Sequence, residues 1–342
     1  MVLLNDIDQT LKIPEIQLSE YEGTLISKGG EGSVFRYDLP GRLFGLELKL
    51  KRVAVKQFEG SHSTSSDKTK SNSSRGHGEV LALCKLRHEH IIPILGVGTL
   101  KGERSLIMEY CPRTLAGVID ERRRKDKYLK YYEFWPWIIS IVRALCFIHE
   151  RGHYHGDLKP LNILISIGRE AKVADFGLSG LSSSRGAFHD SNRGTARYMA
   201  PEQHAGEMLD LEGFKKCDVW AFGIVLWEMI TCQLPFSAFH DHQISSLIGA
   251  KNENSHPVLP NTDVCEALVN LLKKCWSSKS INRLSMFNIT RRLLDIDFDK
   301  PEDEASSGVF VDYHLLKYGK KYDEKLWREE CKLWASARSD LG

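Results

Sequence analysis

The chain has 342 residues, 42% of them hydrophobic, which is enough for two modest lobes with real cores, so one enzyme domain with short extensions is expected. Its 47 basic and 45 acidic residues nearly cancel, which argues against a dedicated nucleic-acid binder. The eight cysteines are scattered with no pair at two-residue spacing, so reduced thiols are expected rather than a metal or redox site. Acids within MVLLNDIDQT and the lack of a basic-then-apolar block predict no secretory signal. The longest oily stretch, 138–148, carries Arg143 and is too short to span a bilayer.

From 25 to 56 short apolar segments alternate with Gly29, Gly30, Gly32, Pro40, Gly41 and Gly45, a pattern of strands and tight turns. The stretch 59–78 holds seven serines and almost nothing to bury, so a mobile loop is expected. Helical spacing follows at Val80, Leu83 and Leu86, then strand character over 91–98 and 105–110, completing a small, mostly β lobe. Beyond Cys111 the pattern turns helical. An amphipathic helix is expected over 137–150, entered at Pro136, and a buried one over 217–230. The basic run 122–125, with Lys127 and Lys130, reads as a solvated helix face, with docking of an acidic partner as the alternative. Past 295 a linker composition leads to a tail with Tyr313, Tyr318, Tyr322, Trp327 and Trp334, which either packs on the large lobe or recruits a partner.

Chemistry enters at ISKGGEGSVF, 26–35, where glycines between strand-like segments let backbone amides approach phosphate oxygens with no Cβ in the way. Ser27 stands at the first glycine of a G-x-G-x-x-G pattern, with Gly29 and Gly32 at the others; a plain hairpin is the alternative. Lys56 ends the apolar run VAVK, and Glu79 on the next helical stretch is a partner for its ammonium. The decisive stretch is HGDLKPLN, 155–162, followed by Asp175-Phe176-Gly177. Asp157 is placed to accept a hydroxyl proton, while Asn162 and Asp175 offer two metal-facing oxygens.

With these residues in order, the chain resembles the protein kinase family over roughly 21–295. The resemblance implies an α+β bilobal fold, with an N-lobe over 21–111, a C-lobe over 112–295, an N-terminal extension 1–20 and a C-terminal tail 296–342. It implies ATP and Mg²⁺ as cofactors and Asp157 as the catalytic base. Lys56 then binds phosphates and pairs with Glu79, Lys159 stabilises the transferring phosphoryl, and Thr195 supports Asp157 and Lys159. Asn162 and Asp175 hold the metal. ATP is expected against Ile26, Ser27, Lys28, Gly29, Gly30, Glu31, Gly32, Ser33 and Val34, with Ala54 and Leu164 around the adenine. Backbone groups of Glu109 and Cys111 meet its edge, and Met108 stands at the back of the pocket or serves as simple core.

Within the resemblance, 194–202 looks like the peptide-binding end of the activation segment, and Glu202 is expected to pair with Arg283, although Ser280 and Leu284 replace the prolines common there. Lys159 and Gly194-Thr195 are of the serine/threonine kind, while Cys275-Trp276 and Asp218 to Gly223 resemble the tyrosine-kinase-like branch. The partners implied are proteins presenting serine or threonine hydroxyls and an upstream regulator, with no nucleic acid and no membrane span; the location implied is the cytoplasm, with nuclear entry left open. The rival reading is a pseudokinase or signalling scaffold, supported by Ser27 and Gly156. Gly156 stands where most relatives carry an arginine, so a phosphate on Ser191 or Thr195 lacks its usual partner unless Arg185, Arg193 or Arg197 replaces it.

Overall fold

The computed structural model describes residues 18, 21–29, 32–39, 42–43, 46–47, 52–57, 86–100, 103–125, 127, 131–175, 195–251, 255–258 and 266–294. The serine-rich stretch, Glu79, Val80, Leu83 and the tail beyond 295 lie outside the described residues. The chain divides into two compact units, one made of 1–114 with 164–181 and the other of 115–163 with 182–342. The α+β composition expected is the one that forms, with the main sheet in the first unit and the helices in the second.

The main sheet of the first unit runs in the order β1-β2-β5-β7-β6, built from β1 (Gly23–Gly29), β2 (Gly32–Asp38), β5 (Arg52–Gln57), β6 (Ile94–Leu100) and β7 (Glu103–Glu109). A separate two-stranded ladder joins β3 (Arg42–Leu43) and β4 (Leu46–Glu47). Alternation along the strands gives the main sheet two different faces. Tyr37, Val53, Val55 and Ile107 form one core with Leu39, Leu100 and Leu18, and Leu18, assigned from sequence to the N-terminal extension, is 1% exposed there. Register pairs Val34 with Lys56 and Ala54 with Met108, and cross-strand partners share a face, so these four residues line the other side. The strand expected over 91–98 begins only at Ile94. Ile91 forms an isolated parallel bridge with Val173, and Ile92 takes the Val173 carbonyl at 2.9 Å, a tie between distant segments that sequence periodicity cannot reveal. A three-stranded sheet, β10-β9-β8, consists of β8 (Arg113–Thr114), β9 (Ile163–Ile165) and β10 (Ala171–Val173).

The second unit holds α1 (Leu115–Arg124), α2 (Tyr131–Glu150), α3 (Pro201–His204), α4 (Leu211–Thr231), α5 (Asp241–Gly249), α6 (Glu266–Cys275) and α7 (Met286–Leu294). Helix α4 starts where Asp210 accepts the Gly213 N–H at 2.8 Å, and every residue from Cys217 to Thr231 is buried. It passes α6 closely at Gly223, where a Cβ would lie 2.6 Å from Trp276 Nε1 and 2.8 Å from Cys275 Cβ. Helix α2, which packs on α4 and α7, corrects the entry expected at Pro136. It begins at Tyr131, because Phe134 and Trp135 are buried to 2% and 3% exposure and Glu133 is held by Arg122. Burying two aromatic side chains outweighs the roughly 3 kcal/mol that an internal proline costs.

The basic run is likewise not one solvated face. Arg122 and Arg123 turn inward to partners, Glu133 for the former and Glu228 and the Cys232 carbonyl for the latter, while Arg124, Lys125 and Lys127 are exposed and Lys130 lies outside the described residues. Among the described residues no helix is long and apolar enough to cross a membrane.

Candidate active site

In the first unit the expected phosphate-binding lysine lies on β5, and its strand places it on the face opposite the core. Lys56 Nζ meets Asp175 Oδ1 at 2.8 Å; the lysine side chain is 9% exposed and the aspartate 35%, so the cation is shielded from water while the carboxylate stays partly open to it. Asp175 adopts φ 67, a left-handed conformation that non-glycine residues avoid, which marks a backbone held by its surroundings. Glu79, the expected second partner of Lys56, lies outside the described residues.

Ile26, Ser27 and Lys28 sit exposed on β1, Gly29 pairs with Gly32 where the hairpin closes, and Ser33 and Val34 continue on β2. Gly30 and Glu31 lie outside the described residues. Ala54 and Met108 are opposite each other, both buried, and Leu164 is half-buried on β9.

Beyond Met108, Glu109 donates its N–H to the Pro93 carbonyl at 3.3 Å, so that amide, one of the backbone groups expected at the adenine edge, is already engaged. Its carboxylate is held by Lys172 at 3.1 Å, a partner that sequence reading missed. Burial, reinforced by the Glu109 charge and opposed by Lys172, pushes the Cys111 thiol up to about 12, so it stays neutral.

In the second unit HGDLKPLN folds back on itself. Asp157 Oδ2 accepts Lys159 Nζ at 2.6 Å and Asn162 Nδ2 at 3.1 Å, and the same amide nitrogen donates to the Asp157 carbonyl at 2.8 Å. The short helical turn Pro160–Asn162 returns Asn162 to Asp157. With its nitrogen committed, the Asn162 amide has its oxygen left as a donor. An amide oxygen here and a carboxylate at Asp175 in the first unit are each of the hard oxygen kind that suits Mg²⁺. Among the described residues there is no cluster of three or more His, Cys, Asp or Glu able to cage a metal.

The loop is anchored from below by Asp218, another residue whose part was not read from sequence. Its Oδ2 accepts the His155 N–H at 2.8 Å and its Oδ1 the Gly156 N–H at 2.9 Å, while the His149 ring contacts Oδ2 at 2.8 Å. Burial alone raises a carboxyl pKa, yet these bonds win and hold Asp218 below the usual carboxylate range. Gly156 takes φ 85, within reach of glycine and strained for an arginine. An aspartate inside a helix apolar all round was the available signal, because a buried charge demands partners.

The stretch expected to receive peptide begins with the turn Thr195–Tyr198, of which the Thr195 side chain lies outside the described residues. Arg197 donates to the carbonyls of Pro235, Phe236 and Phe239 at 2.7, 2.9 and 3.4 Å and lies 3.7 Å from Asp241. It is therefore committed to this loop, which removes it as the substitute phosphate partner expected above; Arg185 and Arg193 lie outside the described residues. The Tyr198 hydroxyl donates to Glu228 Oε2 at 2.7 Å. Glu202 and Arg283 meet as expected, bidentate at 2.6 and 2.8 Å and almost fully buried.

The protein kinase domain family model matches residues 43–293. The chain is 31% identical over 283 residues to the mitogen-activated protein kinase kinase kinase dlk-1 of Caenorhabditis elegans, covering 82% of this chain and 27% of that protein. Identity to the dual specificity protein kinase shkD of Dictyostelium discoideum is 28% over 313 residues, 89% of this chain and 38% of that one. To the probable serine/threonine-protein kinase SIS8 of Arabidopsis thaliana it is 31% over 282 residues, 79% and 24%. The chain thus spans about a quarter to two fifths of the length of these curated relatives.

Proposed function

The chain belongs to the protein kinase family, and from that premise we propose that it transfers the γ-phosphoryl group of ATP to serine and threonine hydroxyls of proteins. The observation that carries the reading is the Asp157 carboxylate with Lys159 and Asn162 both on Oδ2. Oδ1 is then the oxygen left to take the hydroxyl proton. The hydroxyl oxygen forms its bond to the γ-phosphorus as the bond to the β-phosphate oxygen breaks, and ADP leaves with that electron pair. Lys159 lies beside the base to balance the charge on the phosphoryl in flight, and Lys56 binds the phosphates it leaves. Asn162 and Asp175 would hold Mg²⁺, which when bound neutralises phosphate charge.

Serine/threonine preference is supported by Lys159 and Thr195 and by the name of the Arabidopsis relative, while the Dictyostelium relative is named dual specificity. Placement in the tyrosine-kinase-like branch is supported by the likeness to the mitogen-activated protein kinase kinase kinase dlk-1. A cytoplasmic location accords with a kinase of protein substrates.

Incubating the purified chain with labelled ATP, Mg²⁺ and a degenerate peptide library, followed by phosphoamino-acid analysis, tests the reading. Phosphoserine and phosphothreonine are expected. Dominant phosphotyrosine overturns the specificity, and nucleotide binding without transfer favours the scaffold alternative.

The same reading extends to control. Glycine at 156 and the commitment of Arg197 elsewhere support operation without activation-segment phosphorylation, the alternative being a substitute cation from Arg185 or Arg193. Phosphatase-treated protein is expected to match untreated protein in single-turnover assays; a loss beyond about tenfold, roughly 1.4 kcal/mol, overturns this.

A further inference from the structure

Arg123 sits on α1, on no stretch to which the kinase reading gives a role, yet its guanidinium is shared among three groups. Nε donates to the Cys232 carbonyl at 2.8 Å, Nη1 to Asp120 at 2.7 Å and Nη2 to Glu228 Oε1 at 3.1 Å. The other carboxylate oxygen of Glu228 takes the Tyr198 hydroxyl at 2.7 Å, so a continuous chain of polar contacts runs from α1 through α4 to the turn Thr195–Tyr198. Glu228 is the middle link, with a side chain 5% exposed, so losing either partner leaves a buried carboxylate oxygen to be satisfied. The next residue along that turn, Arg197, is fixed by the 235–239 carbonyls, so Tyr198 is held on one side by Glu228 and on the other by its neighbour's anchor.

We propose that Arg123 is a positioning residue for protein-substrate binding, acting through Glu228 on Tyr198. The proposal rests on the reading of 194–202 as the peptide-receiving segment. Removing Arg123 leaves Glu228 buried without its cation, and the carboxyl then takes up a proton or turns toward Arg123's vacated place; either change alters what Tyr198 is bonded to. The relay carries a second mark. Burial raises the Glu228 carboxyl to about 7, against the pull of Tyr198 and Arg123 and with some help from Asp120. The groups that act on it are Arg123 and Asp120 from α1 and the Tyr198 hydroxyl from the turn, while Arg197 is engaged with Asp241 of α5. Below about 7 Glu228 is neutral and Arg123 loses its grip; above it the ion pair is complete. Peptide affinity is therefore tied to pH near neutrality in a way that nucleotide affinity is not.

The test measures KM for peptide, KM for ATP, kcat and melting temperature between pH 6 and 8 for the untouched protein, Arg123→Ala, Arg123→Lys, Tyr198→Phe and the Arg123→Ala/Tyr198→Phe double variant. Arg123→Ala and Tyr198→Phe are each expected to raise peptide KM about five- to tenfold with ATP KM within about twofold, and to flatten its rise toward acid pH. Arg123→Lys is expected to recover part of the loss, and the double variant to be no worse than the worse single one, as links in one chain require. If Arg123→Ala does not fold, Tyr198→Phe, which removes a single hydroxyl, carries the same expectation. An unmoved peptide KM, additive effects, or a rise in ATP KM as large as that in peptide KM overturns the relay and leaves the kinase reading standing. Absence of transfer by the untouched protein in the same assay overturns both.

Discussion

Lys159 Nζ lies 2.6 Å from Asp157 Oδ2, and the two side chains are 12% and 17% exposed, so the proposed base has a cation at its side in a setting only partly open to water. A base so placed is matched to a hydroxyl that loses its proton as charge builds on phosphorus. Asp157→Asn is expected to leave ATP binding nearly intact and to lower turnover by about 10²–10⁴, roughly 3–5 kcal/mol in barrier. Single-turnover transfer beside nucleotide titration separates the two, and unchanged turnover sinks the assignment.

Lys56→Met removes the ammonium that meets Asp175 at 2.8 Å. Turnover is expected to fall by at least about a hundredfold, since both the phosphate clamp and the charge that fixes Asp175 are lost. Wild-type activity in this variant contradicts the pairing.

Arg283 and Glu202 form a bidentate pair with side chains 0% and 3% exposed, and burial, which alone raises the Glu202 carboxyl, is overcome by Arg283, which holds it low. Arg283→Met is expected to destabilise the fold by about 3–5 kcal/mol because it strands a buried carboxylate. Arg283→Met with Glu202→Leu is expected to lose less than the single change. Denaturant titration of the two variants decides it; a worse double variant refutes the account.

At Gly156 the backbone stands at φ 85, so any side chain there meets the left-handed penalty. Gly156→Ala is expected to destabilise by about 1–2 kcal/mol while ATP KM stays put. A neutral or stabilising substitution in thermal unfolding removes the strain argument.

Glu228 binds its proton more tightly folded than unfolded, its carboxyl being raised from 4.5 to about 7 by burial. The folded state therefore holds more protons between those values, and this group's contribution to stability is greatest at acid pH and declines as pH rises through 7. The melting-temperature advantage of the native chain over Glu228→Gln is expected to shrink by several degrees from pH 5 to 8. An advantage that grows with pH reverses the sign and rules the assignment out.

Local spacing is what made the catalytic loop legible. Five residues separate Asp157 from Asn162, and one short turn after Pro160 returns the amide to the carboxylate, so the pattern HGDLKPLN nearly prescribes its geometry. Asp218 falls in the stretch 217–230 that reads as a buried helix, but its part as the loop's anchor is not legible there, because two of its partners are the backbone amides of His155 and Gly156, which leave no trace in side-chain pattern. Pro136 misled for a related reason. A local rule places proline at a helix start, whereas the burial of Phe134 and Trp135 is decided by neighbours far along the chain. The inward turn of Arg122 and Arg123 from a run of four basic residues was hidden in the same way, by acids at 133 and 228.

Arg197 ties 195–198 to three carbonyls across 235–239, and Phe236 is held there at φ 53, which a bulky side chain does not adopt unaided. In hydrogen exchange these two stretches, some forty residues apart in sequence, are expected to open as one unit, the guanidinium letting go of both together. A peptide or partner that slows exchange at 195–198 slows it equally at 235–239, and protection reads out at a place the ligand never touches.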